Sequence, residues 1–309
     1  MNLKQVASWI VRDFQHMIGK PAALNEVLCD MDLRHLNYLV ESKSIALDSV
    51  MAWHRFGDAE FSTVLDSRAG RLLGWQYTGG RYESFLTYDD ALAHIGLTHT
   101  ASNWQCDLRD IHGFGASKSR LSDFLTLDEM VERGSPEMIA DISLAALKQN
   151  LAWNEIRIIH EPGGCDFFVR HQWDGRLFLS NAGGSHHFAA AAYIARRLNY
   201  ELILHGTLHE YRLNSLAVQA LCHRYEIFCM PANPVCALAM TDALTAVNAT
   251  YMTRLLPMPC RDNRALFLPR NNRSAMRAAR LLHEKGAVSI SKFLSTQANS
   301  SIRKEPRAE

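Results

Sequence analysis

The sequence predicts an α/β or α+β protein in which a central strand–turn–helix–strand module is flanked by helical N- and C-terminal parts. Residues 155–160, 167–171, 176–180 and 201–205 are short runs of β type bounded by turn residues. Around them lie segments with apolar residues at helical spacing, of which the alanine-rich 185–198 is the clearest. The 309 residues allow one large domain or two ordinary ones. The boundaries drawn are 1–135, mainly helical; 136–212, the module; and 213–309, helical and basic with a disordered tail.

Val6, Ile10, Phe14 and Met17 set a helix over 2–19, stopped by Gly19-Lys20-Pro21, and a second helix is expected near 22–40. The glycines in Gly74-Trp75-Gln76-Tyr77-Thr78-Gly79-Gly80-Arg81-Tyr82 predict a hairpin. Thr87 reads as a helix cap, with Asp90 at the capping-box position. Residues 98–120, rich in His, Asn, Ser and Gly, read as a long loop. Helices should resume at 126–133 and at 136–150, the latter capped by Ser135 with Pro136 in its first turn. After the module come a helix at 213–224, a stretch broken by Pro231, Pro234, Pro257 and Pro259, and a basic helix at 271–285. Residues beyond about 297 read as disordered.

Composition is ordinary for a folded chain, 48% hydrophobic and 21% charged. The net charge of +1 hides an imbalance: residues 251–309 hold 12 Lys/Arg against 4 Asp/Glu. A basic segment of this kind either docks a polyanion such as nucleic acid or forms a solvated helix face and charged tail. No apolar run reaches the ~20 residues that span a bilayer, and residues 1–19 are amphipathic, unlike a secretory signal. The seven cysteines show no pairing pattern. Together these predict a cytoplasmic protein with reduced thiols and no membrane partner.

The informative string is DGRLFLSNAGGSHHFAAAAYIARRLNYELIL, residues 174–204. Strand, glycine turn, helix and strand follow one another. The first amides of a helix lack intrahelical partners and sit at the positive end of its dipole. Gly183 and Gly184 permit positive φ and close approach of a ligand, and Ser185, His186 and His187 add side-chain donors. That combination suits phosphate, although a Gly-Gly turn before a good helix former also serves as a turn alone.

The segment 141–204 resembles the ParB/sulfiredoxin-like superfamily. Partition proteins of that group carry a helix, a strand and then a D-G-x-Y-E-L-I-x-G-E-R-R-x-x-A-A segment. Here the helix is DISLAALKQN, the strand EIRII, and the remainder DGRLFLSNAGGSHHFAAAAYIA. Gly184 matches the family glycine, Ser185 stands where Glu is usual, and His186 and His187 stand where the partition proteins have two arginines. Ala190 and Ala191 match the small helix residues. Sulfiredoxins read G-G-C-H-R at this turn, which Gly183, Gly184 and His186 match. Ser185 in place of that cysteine argues against sulfinic acid reduction. The resemblance spans under a quarter of the chain. Members include CTP-dependent DNA clamps, an ATP-using reductase, a small-molecule kinase and plasmid ATPase/nuclease proteins. It therefore implies a nucleotide phosphate more strongly than any one reaction.

The expectation is an enzyme that binds a nucleoside triphosphate, CTP or ATP, and cleaves or transfers phosphate with Mg²⁺. Asn181, Gly183, Gly184, Ser185 and His186 would bind the ligand, with His186, His187 and Glu161 as catalytic groups. Glu161, ahead of Pro162-Gly163-Gly164, is the metal-positioning carboxylate singled out among His160, Asp166, His171 and Asp174. His112 and Lys118 sit in a loop able to reach the site. The alternatives are a non-catalytic nucleic-acid- or protein-binding accessory factor of plasmid, phage or chromosome biology, and a nuclease using the same histidines. His205 and His209, with Glu210 next, fit zinc only on a helix, which Gly206 argues against. Cys222, Cys229 and Cys236 lack the short spacing of zinc ribbons and read as structural thiols.

Overall fold

The computed structural model of the chain describes residues 24–25, 27–28, 43–59 and 68–302. The helices expected at 2–19 and, for the most part, at 22–40 lie outside these. Along the chain come β1 (Arg71–Thr78), β2 (Arg81–Tyr88), α1 (Asp90–Ala93), β3 (Gly96–Asp107), β4 (Ile111–Phe114), α2 (Leu127–Gly134) and α3 (Leu144–Leu151). Then follow α4 (Arg157–His160), β5 (Phe167–His171), β6 (Leu177–Ser180), α5 (Ser185–Leu198), β7 (Ile203–Leu213), α6 (Ser215–Arg224) and β8 (Tyr225–Pro231). The last are α7 (Pro234–Thr245), β9 (Tyr251–Leu255), β10 (Asn263–Pro269), α8 (Arg273–Glu284) and α9 (Ile290–Ile302). Among the described residues this is a mixed α/β fold with two five-stranded sheets, and the chain falls into two compact units. None of its described helices is long and apolar enough to cross a membrane.

The described residues of unit 1 fall in Met1–Val40, Ala52–Gly96 and Leu213–Glu309. Its sheet has the order β2-β1-β9-β10-β8, and every pairing is antiparallel. The expected hairpin is present: Thr78 pairs with Arg81 across Gly79-Gly80, both at positive φ. Helix α8 lays Ala275, Ala278, Ala279 and Leu282 into a core with Phe228, Leu266 and Leu268.

Unit 2 comprises Glu41–Met51 and Leu97–Arg212. Its sheet has the order β3-β7-β5-β6-β4, with β4·β6 and β5·β7 parallel and β5·β6 antiparallel. Helix α5 is its centre. Phe188, Ala189, Ala190, Ala191, Ala192, Ile194 and Ala195 are all buried, because methyl side chains let α2 and α3 pack closely against it.

Several elements differ from the sequence reading. Residues 98–120 are mostly β3 and β4: β3 lies at a sheet edge with most side chains exposed, so a strand there carries loop-like composition. Residues 155–160, read as the strand EIRII, hold the helical turn α4. Ile156 and Ile158 reach the core from it, and Glu161 N–H closes it on Arg157 O at 2.8 Å. A single helix over 136–150 is replaced by a 3₁₀ turn at Pro136–Ile139 and then α3, because Ser143 caps a new start by accepting from Ala146 N–H at 3.1 Å. Asp89, not Thr87, caps α1, and Thr87 belongs to β2. Residues 1–135, expected mainly helical, contain β1 to β4. Residues 213–309, also expected helical, contain β8, β9 and β10, and Pro231, which reads as a breaker, ends β8. Gly206 does not interrupt β7, which runs from Ile203 to Leu213. Helix α9 carries on past residue 297 to Ile302.

Candidate functional site

Strand β6 delivers the chain to Asn181, and the turn is set from beneath. The Asp166 carboxylate accepts from Ala182 N–H at 3.0 Å. Gly184 then takes φ +69° as the cap of α5, and a Cβ there would lie 2.9 Å from Ile156 N. The glycine requirement is met, but the neighbour that approaches is the chain's own backbone at 155–156. Gly183 similarly abuts Glu155, whose Cβ would lie 3.3 Å from an added methyl. Helix α5 begins and ends in left-handed residues, Gly184 and Asn199, which fixes its bounds at Ser185 and Leu198.

Around this turn lies a cleft of about 550 Å³, lined among others by Lys118, Trp153, Glu155, Arg157 and His187. The amides of Ser185, His186 and His187 precede the first helical hydrogen bond, Phe188 N–H to Gly184 O at 2.9 Å. They are the free amides of the helix N-terminus. Lys118 makes no ion pair among the described residues. Arg157 lies 3.7 Å from Glu161 and donates to the exposed Cys165 Sγ at 3.7 Å.

The two histidines play different parts. His186 has both ring nitrogens engaged, Nδ1 with Ser135 Oγ at 2.7 Å and Nε2 with Ser119 Oγ at 3.0 Å. Either neutral tautomer keeps both ring nitrogens occupied, one donating to a serine hydroxyl and the other accepting from one. Burial, and after it Lys118, lowers the His186 pKa, while Glu137 opposes. His186 is thus a neutral clip between the 115–119 loop and the end of α2. The sequence expectation has its ring as a phosphate donor; here both ring nitrogens have serine partners.

His187 stacks on Trp153 with ring centroids 4.5 Å apart and 19° between planes. Its Nδ1 lies 3.1 Å from Asn150 Oδ1. Asn150, 6% exposed, uses its Nδ2 to donate to Met138 O and Ala146 O, both at 3.1 Å. The amide orientation is therefore fixed, and Oδ1 needs a donor: His187 carries its proton on Nδ1. Nε2 is left with its lone pair and with no hydrogen-bond partner among the described residues. Burial, then His186, lowers the His187 pKa, against Glu155. The imidazole is neutral near pH 7, held in one tautomer and one rotamer.

Ser185 lines the cleft as well, whereas Asn181 and Glu161 do not. Asn181 is a bracket: its Oδ1 accepts from Ala116 N–H at 3.1 Å, and its Nδ2 donates to Ala116 O at 3.0 Å and Gly183 O at 2.8 Å. Ser185 donates to Ser117 Oγ at 2.8 Å, the third tie to the same loop. Glu161 closes α4, with a side chain 58% exposed, and does not line the cleft; Glu155 does. Asp174 is held by Arg176, His160 donates to Leu151 O at 2.7 Å, and His112 Nδ1 accepts from Leu177 N–H at 3.3 Å. His171 is buried beside Trp173 and Tyr211. His205 and His209 lie on one strand, about 13 Å apart at strand rise, too far to share a zinc ion. No cluster of three metal-ligating side chains exists among the described residues, and their six cysteines are free thiols.

Trp153, Glu155 and Arg157 are the lining residues that sequence reasoning missed. Glu155 and Arg157 stand at alternate positions in a segment that reads as a strand, and Trp153 lies two residues before it. The close approaches of Gly183 and Gly184 and the stacking of His187 on Trp153 connect that segment to the turn.

Residues 101–306 match the Family of unknown function (DUF6685), and the chain belongs to that family. No curated protein and no solved structure matches the chain.

Proposed function

We propose that the cleft at the N-terminus of α5 binds a phosphate-bearing ligand of the nucleoside triphosphate class, CTP or ATP. We further propose that the protein cleaves or transfers phosphate there, with His187 as general base. The observation that carries this is the state of His187. A neutral imidazole with Nδ1 held by Asn150, its ring braced on Trp153 and Nε2 open sits beside unsatisfied helix amides. Amides and dipole favour an anion at that point. Lys118 and Arg157 add positive charge. A base within reach of a bound phosphoryl group takes the proton of the attacking water or hydroxyl.

A Mg²⁺ ion would be held mainly by the ligand's own phosphate oxygens, with Glu155 as the cleft's carboxylate, since Mg²⁺ needs few protein ligands there. The ParB/sulfiredoxin-like resemblance rests on the order strand, glycine turn, helix, strand, which here is β6, the turn, α5 and β7. The helical turn α4, where that family has a strand, departs from it.

The test is calorimetric titration with ATP, CTP and inorganic pyrophosphate, with and without Mg²⁺, followed by a phosphate-release assay. Binding by the parent is expected. His187→Ala should cut turnover by about 10²–10⁴-fold, the usual worth of a general base, with ligand affinity changed far less. Turnover should rise as pH increases through the lowered His187 pKa and level off near neutrality. If none of the three ligands binds, or if His187→Ala turns over like the parent, the proposal fails.

A further inference from the structure

Helix α8 carries a second feature, in unit 1 and independent of the cleft. Its start is fixed by Asn272, whose Oδ1 accepts from Ala275 N–H at 2.8 Å. Ala275, Ala278, Ala279 and Leu282 are fully buried in the unit 1 core. The spacing that buries these four places Arg273, Arg277 and Arg280 on the opposite, exposed face. At 1.5 Å rise per residue the three stems cover roughly 10 Å of one helix face.

Many arginines elsewhere are held by carboxylates, among them Arg109 by Asp107 at 2.8 Å, Arg133 by Glu129 at 2.6 Å, Arg176 by Asp174 at 2.8 Å and Arg270 by Glu226 at 2.6 Å. Among the described residues none of Arg273, Arg277 and Arg280 has such a partner. Glu284 is four residues from Arg280, a spacing that permits an ion pair, yet the two do not pair. Like charges at i and i+4 cost a helix about 0.2–0.5 kcal/mol per pair, so the stripe opposes helix stability locally. At the same end of α8 opens a shallow cleft of about 940 Å³, lined by Arg224, Arg270, Asn271, Thr87 and Thr250. Asp89 holds Arg224 and Glu226 holds Arg270, so both guanidinium groups have fixed positions at its wall.

We infer that the Arg273–Arg277–Arg280 face of α8 docks the phosphodiester backbone of a nucleic acid. Arginine's planar fork meets phosphate bidentately and sheds water more readily than lysine. A backbone with one charge per ~3.4 Å along each strand offers several phosphates within the span of the stripe. Lipid is the poorer fit: a membrane-surface helix buries its apolar face in the bilayer, and the apolar face of α8 is already used by the core. Contacts to phosphate carry no sequence information, so the binding is sequence-tolerant.

The experiment is fluorescence anisotropy of the full-length protein with a short random-sequence DNA duplex and a single-stranded RNA, across a salt series. The affinity of the parent should fall linearly in log–log form with salt. Arg273→Gln, Arg277→Gln and Arg280→Gln combined should reduce the slope by about 2.7 for duplex or about 2 for single strand, and weaken low-salt binding at least ~10-fold. The relative affinity for the two probes identifies the kind of nucleic acid. Arg277→Glu alone gives a second reading should the triple variant fold poorly. Arg133→Gln, an ion-paired arginine of unit 2, should bind like the parent. The inference is overturned if the parent binds neither nucleic acid at low salt, or if the folded variants on α8 bind like the parent. Equal binding to polyglutamate or to phosphatidylserine vesicles overturns it as well.

Discussion

At the scale of the residue, two adjacent histidines of one dipeptide have been given different work by their neighbours. His186 meets two hydroxyls and is consumed by them, whereas His187 meets one carboxamide of fixed orientation and keeps a nitrogen free. The sequence marks both as donors because residue type is all it shows; tautomer and rotamer are set by Asn150, Ser119 and Ser135, which come from other segments. Replacing Asn150 by Asp puts a carboxylate against Nδ1–H. The His187 pKa should then rise by about 1–3 units, the usual effect of an adjacent opposite charge. NMR titration of the His187 ring reads this directly, without any ligand. An unchanged pKa would sink the assignment of the tautomer to Asn150. Gly184 was legible for a reason that turned out different: its φ of +69° and its approach to Ile156 are demands of folding. Gly184→Val should therefore destabilise by about 3 kcal/mol, from backbone strain together with overpacking. Urea denaturation would show it as a lower midpoint. A midpoint like that of the parent would mean that the turn relaxes easily.

At the scale of the element, the order strand, turn, helix was readable because each part obeys a local rule. The alanine run gives a slim helix, the glycines give the left-handed entry, and Asn199 gives the exit. What was not readable is the loop 115–119 that covers the turn. It is tied by Asn181 to Ala116, by Ser185 to Ser117 and by His186 to Ser119. These ties join residues more than sixty apart in sequence, beyond any local pattern. The Asn181 bracket needs an amide, because its Nδ2 faces two carbonyl oxygens. Asn181→Asp would set a carboxylate against both, a loss of about 1–3 kcal/mol per unsatisfied partner. Hydrogen exchange at Ala116 N–H should accelerate by about 10-fold or more in that variant, with the amides inside α5 far less affected. Equal acceleration throughout α5 would mean that the bracket holds the helix as a whole and not the loop.

At the scale of the whole molecule, the sequence suggests three consecutive segments, while the chain forms two units assembled from separated stretches. The reason is sheet pairing: β1 pairs with β9, almost 180 residues later, and local composition around β8, β9 and β10 is dominated by turn-forming prolines. The acid response of the folded state also belongs to this scale. Burial lowers the pKa of His171 to about 4, and those of His186 and His187 are lowered too. All three lie in unit 2. An unfolded histidine titrates near ~6.5. Between that value and about 4 the unfolded chain binds more protons than the folded one, so stability is full above ~6.5 and falls with pH through that window. For His171 alone the integrated loss is about 3 kcal/mol. Asp166 acts with the opposite sign, since burial raises its pKa and protonation relieves the folded state. One carboxyl of that kind offsets part of a loss carried by three imidazoles. Thermal unfolding followed from pH 7 to pH 4 should therefore show a midpoint that drops steadily. His171→Gln, which removes the titrating ring, should flatten the part of the curve nearest the lower end. A midpoint independent of pH across that window, or a His171→Gln curve parallel to that of the parent, would mean that His171 meets water in solution.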